Sequence, residues 1–302
     1  MKAKLTKEWF LNTKWGKIAI ISWGDRYKPG VLLVHGYMDS AATFEPLVSL
    51  LPDTYHYVSF DFPGHGKSDH VATSLLVQQA FVVETIKDIV NHLQWRSFMC
   101  VAHSMGCLIA SLYHHLYPGK IKRIIKIDPL LALTAYYYLN EAHAFWFKWC
   151  HEYYYDHYHL YNGAPPRLFS RDQLIESTMS TRNLTRQQAE TVLSRSMVAA
   201  ENGLVRTSTQ PIMRRMLNIP AFKDSLVYIL QHRPPPTLNI HGTKTKIPKE
   251  EREYVQKHFV FDSPTVFNVY IDAYHDLHVT HPGELVPHIV EFMDRKHFRA
   301  KL

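Results

Sequence analysis

Phe98-Met99-Cys100-Val101-Ala102-His103-Ser104-Met105-Gly106-Cys107-Leu108-Ile109 decides how this chain folds. Phe98 to Ala102 reads as a strand, an apolar run suited to burial on both faces of a sheet, and Met105 to Tyr117 as a helix closed by Pro118-Gly119. Between them lies small-x-Ser-x-Gly, with Ala102 in the place more often held by glycine. A serine on so tight a strand-to-helix turn exposes its hydroxyl at the sheet's carboxyl edge, and larger residues two positions either side would collide. The pentapeptide alone is common in proteins. Its strand-turn-helix setting makes Ser104 a candidate nucleophile on an elbow.

The same alternation extends in both directions. Lys17 to Trp23, Val31 to Val34 and Tyr57 to Phe60 read as strands, Thr43 to Leu51 and Ser74 to Trp95 as helices, with Ser74 as a cap. Ile121 to Ile127 is a strand ending at Asp128-Pro129. Thr237 to Ile240 and Thr265 to Ile271 are strands again, and Gly283 to Lys296 is an amphipathic closing helix. Strands and helices at this spacing predict an α/β class protein, a mostly parallel sheet with helices on both faces. From Leu130 to about Gln231 the alternation stops, and helical patterning rich in Tyr, Trp, His and Arg runs up to Pro234-Pro235-Pro236. The expected organisation is a core built from residues 1–129 and 233–302, with a helical cap inserted over 130–232.

Composition removes other classes. With 46% hydrophobic and 20% charged residues among 302, the chain is neither disordered nor fibrous. No apolar run approaches the ~18 residues of a membrane-spanning helix, so no membrane span is expected. Met1 to Glu8 is polar and basic, without the apolar stretch of a secretory signal. Cys100, Cys107 and Cys150 contain no Cys-x-x-Cys pair, which argues against a disulfide framework or zinc ribbon and fits a reducing compartment. The net charge of +7 (34 basic minus 27 acidic) contains no block of five like charges, so no nucleic-acid partner is expected.

A serine hydroxyl attacks only when a base takes its proton. His275 stands just past the last strand and before Pro282, in the chain order that an elbow serine demands, with His278 as its nearest rival. A carboxylate should orient that imidazole. Gly242 to Pro248 places Thr245 where an aspartate would usually stand, and threonine holds no charge. Asp128, at the end of a core strand facing the same sheet edge, is the candidate acid. Asp272 lies too close to His275 along one strand end, leaving Asp262 and Glu250 as reserves. Oxyanion donors are expected in the backbone N–H groups of Met105 and of Tyr37, which follows His35-Gly36. His35 is read as structural and Asp61 to Asp69 as a shaped turn. His151, His157 and His159 form no His-Glu-x-x-His, so aromatic packing is preferred to a metal site, and neither metal nor cofactor is required.

His35-Gly36-Tyr37, Asp61-Phe62-Pro63-Gly64-His65-Gly66-Lys67-Ser68, the Ser104 elbow and the terminal His275 together resemble the α/β-hydrolase superfamily across nearly the whole chain. Within it the sequence is most similar to the serine hydrolase-like, kraken-type group, with Trp15-Gly16, Trp23-Gly24 and the His275 and His278 pair in support. The resemblance implies an α/β-hydrolase fold and a Ser-His-acid hydrolase with a helical cap. The expected reaction is hydrolysis of a carboxylic ester with a small, apolar acyl substrate. The same triad would serve a thioester or carbon–carbon bond, and a non-catalytic ligand holder remains open because Thr245 stands where an acid is usual. Ala300-Lys301-Leu302 resembles a Ser-Lys-Leu peroxisomal signal, so an import receptor is an expected partner and the peroxisome the expected address, with the cytoplasm as alternative.

Overall fold

Among the described residues, ten short strands account for the sheets: β1 (Thr6–Asn12), β2 (Lys17–Trp23), β3 (Gly30–Val34), β4 (His56–Phe60), β5 (Phe98–His103), β6 (Ile121–Ile127), β7 (Met197–Ala199), β8 (Val205–Thr207), β9 (Thr237–Gly242) and β10 (Val266–Ile271). The structure, a computed structural model, describes residues 4–72, 75–137, 148–216 and 223–295. Eight of the strands form one sheet in the order β1-β2-β4-β3-β5-β6-β9-β10. β2 pairs antiparallel with both β1 and β4, and every other pairing is parallel, which is the mostly parallel sheet expected. β3, β4 and β5 are buried along their whole length because helices cover both faces; the apolar runs Val31–Val34 and Phe98–Ala102 follow from that, while β4 buries the polar His56 and Ser59 among its apolar residues.

On one face lie α2 (Gln79–His92) and α3 (Met105–Leu116); Val82, Ile86 and Ile89 of α2 pack with Leu32, Val58 and Cys100. On the other lie α1 (Glu45–Leu50) and the closing helix, whose Leu285, Ile289 and Phe292 recur at helical spacing against Val31, Val101 and Ile240. α2 begins at Gln79, later than the Ser74 cap predicts, and Ser74 itself lies outside the described residues.

Between β6 and β9 the chain leaves the sheet. This inserted segment carries α4 (Leu130–Leu133), short turns at Tyr153–Asp156 and Tyr158–Tyr161, α5 (Arg171–Arg182), α6 (Arg186–Leu193), the β7–β8 hairpin and α7 (Lys223–Gln231). The hairpin is an addition to the helices that the sequence pattern predicts; none of its six residues is buried, and Met197-Val198-Ala199 is too short an apolar run to mark a strand. α5 and α6 each start with a reciprocal capping box, Ser170 with Gln173 and Thr185 with Gln188, which satisfies N–H groups that a helix start leaves free. After β9 come α8 (Lys249–Phe259), α9 (Leu277–Thr280) and α10 (Pro282–Asp294), the closing helix.

Apolar packing and buried ion pairs both hold the insertion down. Leu174, Ile175, Ala189 and Val192 of α5 and α6 enclose Val279 of α9. Arg195, almost fully buried, forms ion pairs with Asp61 after β4 and Glu8 on β1. The described part of the aromatic run packs ring on ring, with Tyr153 stacked on His157 at 4.1 Å and the Arg215 guanidinium 4.2 Å from the Tyr153 ring centre. Ala300, Lys301 and Leu302 fall outside the described residues. No helix among the described residues is long and apolar enough to cross a membrane.

Candidate active site

Ser104 occupies the single residue between β5 and α3, at φ 52° and ψ −122°, a left-handed conformation costly for a residue with a Cβ. The turn is so tight because α3 starts against the neighbouring strand end. A Cβ on Gly106 would stand 2.3 Å from the Val34 carbonyl oxygen and 2.5 Å from that of His35. Both are backbone atoms, so only glycine fits. The Ser104 N–H donates to the Ile127 carbonyl at 3.0 Å, tying the elbow to the end of β6.

His275 follows β10 by four residues and reaches back across the sheet edge. Its Nε2 lies 2.9 Å from Ser104 Oγ and its Nδ1 2.6 Å from Asp128 Oδ2. Asp128 sits immediately after β6 and is fully buried. Burial pushes against its charged form. Yet donation from His275, from Thr245 Oγ1 at 2.6 Å and from the Gly242 N–H at 3.0 Å holds the carboxyl below its usual value. The structure therefore brings Ser104, His275 and Asp128 into one hydrogen-bonded line. Thr245, uncharged at the position usual for the acid, donates its hydroxyl to the carboxylate that stands one strand away. Sequence alone does not reveal that contact.

The reserve acids are engaged elsewhere: Asp272 pairs with Lys244 at 2.7 Å, Asp262 accepts from Asn268 at 2.8 Å, and Glu250 accepts from Tyr137 at 3.4 Å. His278 is fully buried, with its Nε2 2.7 Å from Thr43 Oγ1 and its ring 4.1 Å from that of His103. Burial lowers the pKa of His103 and brings that of His278 to about 3, so both are neutral packing imidazoles at ordinary pH. His35 accepts from the Phe62 N–H at 3.0 Å and stacks on the Phe62 ring at 3.7 Å, a structural placement.

Ser104, His275, Tyr37 and Met105 line one cavity of about 530 Å³, a size suited to a small ligand. Met38, Leu131, Ala132, Ala135 and Met216 give it apolar walls. Asp39, His103 and Asp276 also line it, and with His278 behind them they cluster with potential ligand atoms within 4.8 Å of one another. The Arg182 guanidinium already occupies that cluster: it donates to Asp276 at 2.6 and 3.0 Å and to Asp39 at 3.0 and 3.3 Å. Arg182, Asp39 and Asp276 are thus site residues that sequence reasoning missed.

The family model for the alpha/beta hydrolase fold matches residues 29–282, and the chain belongs to that family. Within it, the likeness runs to the serine hydrolase-like group. A serine hydrolase-like protein of Danio rerio is 34% identical over 125 residues, covering 41% of this chain and 38% of its own length. A probable serine hydrolase of Drosophila melanogaster is 23% identical across 95% of this chain and 87% of its own. The stretches matched in the first vertebrate relatives span 38% to 65% of those proteins. Among solved structures, a thioesterase domain from the curacin biosynthetic pathway superposes with a TM-score of 0.77 at 21% identity, over 95% of this chain and 99% of that one, and so shares the fold.

Proposed function

We propose that this chain is a serine hydrolase that cleaves carboxylic esters through Ser104, His275 and Asp128. The observation that carries the reading is the unbroken line of hydrogen bonds from Ser104 Oγ through His275 to the buried Asp128, at 2.9 and 2.6 Å, on the wall of a cavity with both apolar and polar lining. His275 Nε2 takes the Ser104 proton as Oγ adds to the ester carbonyl carbon. The Tyr37 and Met105 N–H groups hold the oxygen that becomes negative. Collapse of the tetrahedral adduct expels the alcohol, which receives the proton from His275 and leaves Ser104 acylated. Water, deprotonated by the same imidazole, then releases the acid. Asp128 keeps the Nδ1 proton in place and stabilises the imidazolium. The serine hydrolase names of the relatives support this reading.

Ser104→Ala is expected to remove turnover of p-nitrophenyl esters and covalent labelling by a fluorophosphonate, while thermal unfolding stays parental. Ester hydrolysis at the parental rate in that variant would sink the mechanism. A panel of graded acyl lengths, run beside acyl-CoA thioesters, separates esterase from thioesterase. A parent that binds ligands but never labels favours a ligand holder instead.

A further inference from the structure

Arg182 is the last residue of α5, in the inserted segment, and its side chain also lines the Ser104 cavity. Its two carboxylate partners are not ordinary surface acids. Asp39 is buried and lies two residues past Tyr37, on the loop expected to supply an oxyanion donor; Asp276 is buried and directly follows His275. The guanidinium fork spans both, donating to every one of their four carboxylate oxygens. A planar five-donor cation suits that double bridge and an ammonium does not. Neither loop is stiff by its own secondary structure. Met38 stands at φ 56°, and the Asp276 backbone carbonyl caps only the single turn of α9. Further ties join the same elements: Ser40 Oγ contacts the Val192 carbonyl at 3.5 Å and Gln188 Nε2 that of Val279 at 3.4 Å.

We propose that Arg182 is a positioning residue that clamps the oxyanion loop and the histidine loop into reactive register, so that α5 and α6 must be seated for Ser104 to react. This rests on Ser104 being the nucleophile. Because the clamp forms a wall of the cavity, any movement of α5 that widens the cavity also releases both loops. Substrate entry and catalytic alignment are thereby coupled. The cost of release is large in rate terms, since a misplacement of about 1 Å at reacting groups lowers rates about 100-fold.

The test compares the parent, Arg182→Met and Arg182→Lys on a p-nitrophenyl ester, by kcat, by KM and by the rate of fluorophosphonate labelling, with thermal unfolding in parallel. In Arg182→Met, kcat and the labelling rate are expected to fall together by about 10- to 100-fold while KM moves by less than about threefold. Arg182→Lys, which can engage one carboxylate at a time, should recover only part of the loss. A lowered melting temperature with parental kcat and labelling would make Arg182 merely structural, and a rise in KM alone would make it merely a cavity wall. Either overturns the proposal. If Arg182→Met fails to unfold cooperatively, the lysine variant decides: parental kcat and labelling there also overturn it. Absence of labelling in the parent would instead remove the hydrolase reading, and this inference with it.

Discussion

Asp128 accepts three hydrogen bonds on a carboxylate that solvent does not reach, and two of them, from His275 and Thr245, converge on the same oxygen. Asp128→Asn would turn an amide N–H₂ or a weaker carbonyl toward Nδ1 and lose the charge that stabilises the imidazolium. kcat is expected to fall by about 10⁴-fold with the fold intact, as for loss of a triad acid elsewhere. Thr245→Val removes one donor to a charged group and should lower kcat by about tenfold or more. Adding Thr245→Asp to Asp128→Asn should return part of the lost rate, because residue 245 already touches the carboxylate oxygen that His275 uses. Steady-state kinetics on one ester decide all three, and unchanged kcat in Asp128→Asn would reassign the acid. Ser104 and His275 are legible from local signals, a turn motif and a position after the last strand. Arg182 is not, because its partners lie 143 and 94 residues away and a helix-terminal arginine looks like any solvated cation.

At the scale of elements, the β5–α3 elbow is the least forgiving part of the molecule. Gly106→Ala would drive a methyl into two backbone carbonyls that neither rotate nor withdraw. The variant should lose about 2 kcal/mol or more of stability, read by urea unfolding, and parental stability would contradict so close an approach of α3 to β3. Elements with two buried sides announce themselves in the sequence as apolar runs, which is why β2, β3 and β5 are legible, whereas β6, with Lys122 exposed and Arg123 and Lys126 half-buried, is marked by its four isoleucines. β1 is an edge strand with mostly exposed side chains and carries no such run. α8 buries only Glu251, Val255 and Phe259, a stripe too thin and too polar to stand out. The insertion is visible mainly as the place where alternation stops.

Across the whole molecule, acid tolerance is set by histidines rather than by the paired acids. Burial holds His35 and His103 below the ordinary imidazole value, brings His65 to about 4 and His278 to about 3. Unfolded, each would take a proton near pH 6.5, so the unfolded chain binds more protons than the folded one below that point. Their stabilisation is complete above about pH 6.5 and declines as pH falls toward the folded values, by up to about 1.4 kcal/mol per pH unit for His65 and for His278. Asp39, Asp128 and Asp276 have depressed values, so their contribution is fully present above the ordinary carboxylate range and constant through this window. Melting temperatures should therefore drop progressively from pH 6.5 to 5 at fixed ionic strength. A flat profile would mean that these imidazoles are not neutral in the fold.

β6 and β9 are parallel hydrogen-bonded neighbours, so the chain that leaves the sheet after Ile127 at one edge re-enters at Thr237, opposite Ile124, toward the other. The long excursion between them is a crossover whose two ends the sheet fixes on adjacent strands. Doubling the length of such a loop adds only about 0.6 kcal/mol of closure entropy. Ser104, Asp128 and His275 all stand on the sheet side of that crossover, whereas Arg182 and much of the cavity wall stand on the other. Changes in the length of the excursion that leave Arg182 seated between Asp39 and Asp276 would thus reshape the cavity at little entropic cost while the reactive line stays in place.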